Sequence, residues 1–272
     1  MARKLLKLSL ILLIFIILFF PFQASASTLE DARKMLEKAN LALQSKDFIE
    51  ALKYSQKAFE VAKGDELRAE ALYLYGKIAE KAAYNLTNLA FKAVKPRKNG
   101  VLYGEDIINW EGLKPYKEIG LKFEYSRLGA YFYYNGDSFR KITQDFANAK
   151  WACAASFKLI VIERIDREWS GPQEAEGDVE KLKSFLEKCS QPEVKCEILY
   201  TIPRDYMYIA SSYQNNLSRF YNPEKAYINK EKAESALNRI IKEYPDSEEA
   251  KNAVYHLREL KVESKKRNTL HF

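Results

Sequence analysis

The sequence predicts an all-α protein in which antiparallel helical hairpins form a right-handed stack with irregular insertions. Two observations support this prediction. Small residues recur with bulky residues one position before and three after them, most fully in Leu128-Gly129-Ala130-Tyr131-Phe132, with weaker copies in Tyr75-Gly76-Lys77-Ile78-Ala79 and Ile209-Ala210-Ser211-Ser212-Tyr213. A small residue at such a place lets two helix backbones approach closely. Gly and Pro are also few, 10 and 8 in 272 residues, and no alternation of apolar and polar residues persists long enough to predict a strand.

The first 26 residues have the three parts of a secretory signal peptide. Arg3, Lys4 and Lys7 precede an apolar run over 8–20, and Ala24-Ser25-Ala26 follows. Cleavage is therefore expected after Ala26, with export to the periplasm. An uncleaved membrane anchor is the minor alternative, although the run is shorter than the roughly 20 apolar residues of a spanning helix. A bacterial lipoprotein anchor is not expected, because no Cys lies near this site.

The mature chain begins with the clearest hairpin. Apolar and small positions at Ala32, Leu36 and Ala39 recur at helical spacing, a turn over 45–48 follows, and Ala51 and Ala58 mark a second helix.

Later units are less regular, and the sequence divides into 1–26, 27–95, 96–120, 121–200 and 201–272. A second unit combines a helix over 72–79 with another over 85–94. The third has its first helix and turn at Leu128-Gly129-Ala130-Tyr131-Phe132 and Asn135-Gly136-Asp137, then a helix running on to 165. An extra hairpin is predicted at about 178–200. The fourth unit carries Tyr206, Ile209, Ala210 and Tyr213, an insertion near 214–229, a helix ending at Pro245 and a capping helix over 248–260.

The hairpin over 32–62, with its Lys46-Asp47-Phe48 turn, resembles the tetratricopeptide repeat. The string from Ala236 to Ser247 is similar to repeats of bacterial envelope-assembly proteins. The resemblance covers 29–94, 121–150 and 203–260, and its spacing departs from a uniform repeat. It implies a protein-interaction scaffold in the cell envelope that binds a peptide or partner protein on its concave face. The groove positions of the family correspond here to Asn40, Tyr73, Lys77, Tyr133, Arg204 and Ser211.

The segment from Tyr103 to Tyr134 is unusually aromatic. Within it, Trp110 and Tyr116 fall in the insertion over 96–120, which contains Gly and Pro. Aromatic side chains supply much of the energy at binding surfaces. The alternative function is therefore an envelope glycan-binding protein that uses these two residues, with weak hydrolytic activity as an extension of that alternative.

Charge and reactive residues indicate neither nucleic-acid binding nor an enzyme. The net charge of +7 includes three basic residues of the signal segment, so the rest of the chain is only mildly basic. No nucleophile motif, phosphate loop or metal-ligand cluster is present, and neither His256 nor His271 has a predicted partner. No cofactor is expected, and membrane contact is expected only through an uncleaved signal segment. Cys189 and Cys196 are close enough in sequence for a local disulfide, with free thiols as the alternative.

Overall fold

The computed structural model describes residues 29–95, 104–165, 167 and 169–268, with side chains omitted at 104–105 and 261–268. The predicted signal segment and residues 96–103 of the predicted insertion lie outside the described residues. The chain divides into two compact units, Met1–Asp166 (unit 1) and Arg167–Phe272 (unit 2). The described part is mostly helical, with a single two-stranded sheet among its residues. None of the described helices is long and apolar enough to cross a membrane.

Unit 1 begins with the hairpin that the sequence predicts. Helix α1 spans 29–44 and α2 spans Phe48–Val61. The predicted small residues are buried, and Ala32 and Ala58 belong to one apolar cluster with Leu67 and Ala71. Asp47 ends the turn and caps α2, because its side chain accepts a hydrogen bond of 3.1 Å from the backbone N–H of Glu50.

The second predicted hairpin is instead one continuous helix, α3, which spans Asp65–Ala93. The prediction of two helices over 72–79 and 85–94 was therefore wrong. The residues between them, including Ala82 and Ala83, contain no Gly or Pro that would end a helix. Ala82, Ala83 and Ala90 are buried, so small residues line the face of α3 that packs inside unit 1.

The predicted first helix at 128–132 is also wrong, because this segment belongs to a β-hairpin. Strand β1 (Phe123–Ser126) pairs antiparallel with β2 (Tyr131–Tyr134), with Phe123 opposite Tyr134. The two strands are rich in aromatic residues, which favour pleated backbone. Phe132 and Tyr134 alternate inward and are buried. Thr87 of α3 holds β2 in place, because its hydroxyl accepts the Phe132 backbone N–H at 2.8 Å.

Several short elements surround this hairpin. Helix α4 (Gly104–Ile108), a 3₁₀ turn (Glu111–Leu113) and α5 (Lys114–Glu118) precede it. Gly136 follows β2 in the left-handed region (φ 86°) and starts α6 (Asp137–Asp145), which is separated from α7 (Trp151–Glu163). The predicted single helix over 141–165 is therefore interrupted at 146–150.

The small residue Gly76 performs the packing role that the sequence predicts. A Cβ atom there would lie 2.4 Å from the ring of Phe139 and 2.7 Å from Oγ of Ser138. Both residues belong to the first turn of α6. Gly76 therefore lets α3 and the start of α6 approach closely, and this contact positions one wall of the cleft described below.

The described residues of unit 2 form a series of four helices, in which each packs against the next along the chain. They are α8 (Pro172–Lys188), α9 (Pro192–Gln214), α10 (Pro223–Glu243) and α11 (Glu248–Asn268). The predicted extra hairpin corresponds to α8 and α9, both longer than expected. The predicted insertion near 214–229 shrinks to 215–222, because Asn222 caps α10 by accepting the Lys225 backbone N–H at 3.0 Å.

Glu174 lies in a cluster of hydrogen bonds at the start of α8 that changes its pKa in a way that can be tested. The Glu174 carboxylate accepts from the Ser170 backbone N–H, from Arg167 and from the Ser170 hydroxyl, and these contacts lower its pKa to about 2. We expect Ser170→Pro, which removes both the backbone N–H and the hydroxyl of Ser170, to raise that pKa toward 4.5. A ¹³C NMR titration of the Glu174 carboxyl carbon measures it.

The sign of the linkage follows from the lowered pKa. Because the folded-state pKa lies below the unfolded one, the contribution of Glu174 to stability is complete above about pH 4.5 and falls as the pH drops toward about 2. An unchanged Glu174 titration in Ser170→Pro, in protein shown to be folded by circular dichroism, would contradict the assignment.

Candidate functional site

Four of the six residues predicted for a concave groove lie in unit 1, and they do not form one site there. Tyr73 is 2% exposed, and its ring stacks on Trp151 with the centroids 4.7 Å apart. It is therefore a core residue, and its prediction as a binding residue was wrong. Lys77 lies 6.0 Å from the Tyr73 ring, while the Tyr133 hydroxyl donates to Glu124 at 2.7 Å. Asn40 is exposed on α1.

The two remaining groove residues are Arg204 and Ser211 on α9 of unit 2. Both are exposed, and their spacing of seven residues, about two turns, places them on one face of the helix. They remain predictions for partner contact.

The predicted aromatic platform of Trp110 and Tyr116 is not formed. Tyr116 is 8% exposed and packs edge to face on Phe123 with the centroids 5.4 Å apart. Leu113 and Leu121, its neighbours along the chain, are also buried. Trp110 is half-buried, and its ring covers Gly112. The prediction was wrong because Tyr116 anchors the insertion to the hairpin and does not present its ring to solvent.

The possible disulfide between Cys189 and Cys196 is absent. Cys196 is a free thiol in α9, with its Sγ 3.5 Å from the Ser247 hydroxyl and 3.7 Å from the Glu249 carboxylate. Its side chain thus faces the start of α11. Burial raises the pKa of the Cys196 thiol to about 11, so the thiol stays protonated at neutral pH. Cys189 is buried at the end of α8.

A concave site in unit 1 is a cleft with a volume of about 320 Å³. We call it the unit 1 cleft. Helices α2 and α3, the loop 119–122, the end of β2 and the first turn of α6 surround it. Its lining residues are Ser55, Gln56, Phe59, Leu72, Tyr75, Ile119, Gly120, Leu121, Lys122, Tyr134, Asp137, Ser138 and Lys141. The cleft is open, and its volume lies at the small end of the range for ligand pockets.

The floor of the unit 1 cleft is apolar and its walls carry hydroxyl groups. Leu121 is 3% exposed, and Phe59 and Leu72 are half-buried. Tyr75 and Tyr134 add two aromatic rings with hydroxyl tips. This combination suits a large apolar side chain that also carries or adjoins a polar group.

The hydroxyl of Tyr75 is a neutral hydrogen-bonding group at physiological pH. Burial raises its pKa to about 12, and Tyr134 and Asp137 nearby add to the rise. Burial also raises the pKa of Tyr134, whose hydroxyl oxygen accepts the Ser138 backbone N–H at 2.6 Å. Both phenols can therefore donate to a ligand without carrying charge themselves.

Besides the shape and lining of the cleft, the side chain of Ser138 also points to a ligand there. Ser138 is 6% exposed and lines the cleft, and its side chain interacts with the Tyr134 hydroxyl without a hydrogen bond of good geometry to its Oγ among the described residues. A buried hydroxyl whose hydrogen bonding is incomplete costs free energy. An occupant with a polar atom at this wall would recover that cost.

Charge at the rim is mixed, with two lysines and one aspartate. Burial favours a raised pKa for Asp137, but hydrogen bonds from Asn135 and Arg140 outweigh it and hold the pKa below its ordinary value. Arg140 donates to Asp137 at 2.9 Å, so this carboxylate is already neutralised. Lys141 donates a hydrogen bond to the carboxylate of Asp145, whereas Lys122 is exposed at the mouth of the cleft. The rim therefore favours an acidic group on the occupant.

A hydrogen-bonded chain in unit 2 was missed by the sequence reasoning. The Tyr200 hydroxyl lies 3.1 Å from Nε2 of His256, and Nδ1 of His256 lies 3.0 Å from Glu259. The expectation that His256 has no partner was therefore wrong. The spacing of His256 and Glu259 by three residues on one helix was a detectable signal. The contact with Tyr200 on α9 could not be predicted from the sequence, because it depends on tertiary packing. The chain links α9 to α11.

The described residues contain no group of three or more His, Cys, Asp or Glu that could hold a metal ion. Comparisons with known proteins add little. No family model matches the chain, and no curated protein matches it. One solved structure, from work described as "Computational Design of Self-Assembling Cyclic Protein Homooligomers", is 11% identical over 89% of this chain and 92% of that chain, with a TM-score of 0.31. A score this low does not demonstrate a shared fold.

Proposed function

We propose that the chain is an exported protein-interaction module of the bacterial cell envelope, and that unit 1 binds an extended segment of a partner protein in the unit 1 cleft. The observation that supports it is the cleft itself, an open pocket with an apolar floor, hydroxyl-bearing walls and a rim of mixed charge on which Lys122 is exposed. Protein partners are commonly held by one anchor side chain in such a pocket, surrounded by polar contacts.

The cleft chemistry defines the partner segment. One large apolar or aromatic side chain would contact Phe59, Leu72 and Leu121. A polar group beside it would reach the hydroxyls of Tyr75 and Ser138. An acidic residue next to the anchor would pair with Lys122 at the rim, with Lys141 adding positive charge. The preferred segment is therefore an apolar residue adjacent to Asp or Glu.

The fold of each unit, taken separately, supports a repeat-like scaffold. The α1–α2 hairpin retains the small-residue spacing of a tetratricopeptide repeat, and the helices of unit 2 pack in chain order as stacked hairpins do. We propose that both units are degenerate, TPR-like arrays, with the β-hairpin and the long helix α3 as departures from the repeat. The signal-like segment over 1–26 supports export.

A peptide selection tests the proposal. We expect a display library screened against the full chain to yield peptides with an apolar anchor beside Asp or Glu. Tyr75→Ala should weaken the selected peptides about 30-fold in titration calorimetry, because the anchor loses an aromatic wall and a hydroxyl. Tyr75→Phe should retain most of the affinity and lose only the hydroxyl contribution.

Tyr54→Ala is the matched control. Tyr54 is a half-buried tyrosine of α2 outside the cleft, flanked by Lys38 and Lys57. Its replacement should leave the affinity within about twofold, the scatter expected of surface changes. Peptides enriched in basic residues, or an equal loss in Tyr54→Ala, would refute binding at the cleft.

A further inference from the structure

A second surface of unit 1 lies on the C-terminal half of α3 and is both basic and aromatic. Tyr84 is 73% exposed and Phe91 is 43% exposed, although both are large side chains. Lys81, Asn88 and Lys92 are exposed between and beside them. At 100° per residue these five positions fall within about one third of the helix circumference. We call them, with the exposed Lys95 just past the helix end, the α3 stripe.

The stripe has a single sign of charge. Lys81, Lys92 and Lys95 form no ion pair within the part of the chain that the structure describes. The sequence from 81 to 104 contains five basic residues and no acidic one. Elsewhere in the described chain some exposed lysines lie beside a carboxylate, as Lys34 does beside Glu30. Lysines whose only role is to keep a helix surface soluble need not be separated from acidic residues in this way.

We propose that the α3 stripe binds an anionic membrane surface. Clusters of lysine and arginine are attracted to acidic lipid headgroups, and each basic side chain near such a surface adds to the binding. Tyr suits this interface because its ring is apolar and its hydroxyl tip is polar, and Phe can bury its ring at the boundary between headgroups and acyl chains. An apolar segment over 8–20 would bring the same chain to a membrane, whether it is removed afterwards or retained.

The position of the stripe is compatible with an occupied cleft. Tyr84 follows Tyr75 by nine residues, which is two and a half turns, so the two side chains leave α3 on opposite sides. Tyr75 lines the cleft and Tyr84 belongs to the stripe. Unit 1 could therefore lie on a lipid surface and still present its cleft away from that surface. This inference goes beyond the proposed peptide binding and does not depend on it.

Vesicle partitioning of the full chain tests the inference. The readout is the partition coefficient on vesicles of equal parts phosphatidylcholine and phosphatidylglycerol, divided by that on phosphatidylcholine alone. This ratio cancels any contribution from residues 8–20. We expect Lys81→Glu/Lys92→Glu/Lys95→Glu to lower the ratio about 100-fold, since each lysine near the surface contributes about fivefold. Tyr84→Ser/Phe91→Ser should lower partitioning on the anionic vesicles about tenfold.

The control reverses three exposed lysines elsewhere in unit 1, as Lys38→Glu/Lys57→Glu/Lys63→Glu. It makes the same change in net charge but should lower the ratio by no more than about threefold, because distant charges are screened. Circular dichroism confirms that each variant is folded. A ratio near one for the unaltered chain would overturn the inference, as would a control variant that falls as far as the stripe variant. Retention on heparin combined with a ratio near one would assign the stripe to a soluble polyanion and would also overturn it.

Discussion

Replacing Phe139 by Ala is expected to lower the free energy of unfolding of unit 1 by about 3–5 kcal/mol, the usual cost of removing a buried phenyl ring. Phe139 is fully buried on α6. Its ring contacts Tyr73 and Tyr134, with centroid distances of 5.7 and 5.9 Å, and it covers Gly76 of α3. The cavity left by its removal would adjoin a glycine, which has no side chain to fill it.

Phe91→Ala is the matched control, because it removes the same side chain from an exposed position of α3. It should change the free energy of unfolding by less than about 0.5 kcal/mol. Urea denaturation followed by circular dichroism measures both variants. Equal effects at the two positions would show that Phe139 does not occupy the core that joins α3, β2 and α6.

Removing the Glu80 carboxylate is expected to cost about 3–5 kcal/mol, the range for breaking one side of a buried ion pair. Nζ of Lys158 on α7 lies 2.8 Å from Glu80 on α3, and the two side chains are only 11% and 27% exposed. In Glu80→Ala the ammonium group loses this partner while it stays in a poorly solvated position. The thermal midpoint and urea denaturation report the loss.

Two comparisons make the Glu80 result specific. Glu30→Ala removes a carboxylate paired with Lys34 on α1, where the side chains are 67% and 58% exposed, and should have a much smaller effect because water screens this pair. The double variant Glu80→Leu/Lys158→Met should recover much of the loss, because it removes both charges of the pair. A double variant as unstable as Glu80→Ala would show that packing, and not the charge, causes the effect.

The sequence predicts the helical character and the first hairpin correctly, because those depend on local periodicity. Ala32, Ala39, Ala51 and Ala58 are all buried as expected. It fails at 128–132, where a small residue flanked by bulky ones suits a tight turn as well as a close helix contact. Gly129 lies in that turn and donates its backbone N–H to the Ser126 hydroxyl at 2.8 Å. The aromatic residues on either side favour strands, but these strands are too short to produce a long alternation of apolar and polar residues.

The site was harder to predict than the fold. The unit 1 cleft joins Ser55 to Ser138, which lie on different helices far apart in the sequence. Their proximity depends on Gly76, which lets the first turn of α6 approach α3. The family correspondence instead selected Tyr73, whose ring is buried against Trp151. Groove positions transfer only where the repeat itself is retained, and α3 departs from it by continuing as one helix.

Tyrosine-selective NMR of the full chain, titrated with a peptide obtained from the selection, tests the proposed binding site most directly. We predict that the ring signals of Tyr75 and Tyr134 shift in proportion to peptide bound, because both line the cleft. Tyr133, whose hydroxyl donates to Glu124, and Tyr54 should keep their signals. A shift of Tyr133 with Tyr75 unchanged would place the peptide outside the cleft and contradict the proposed function.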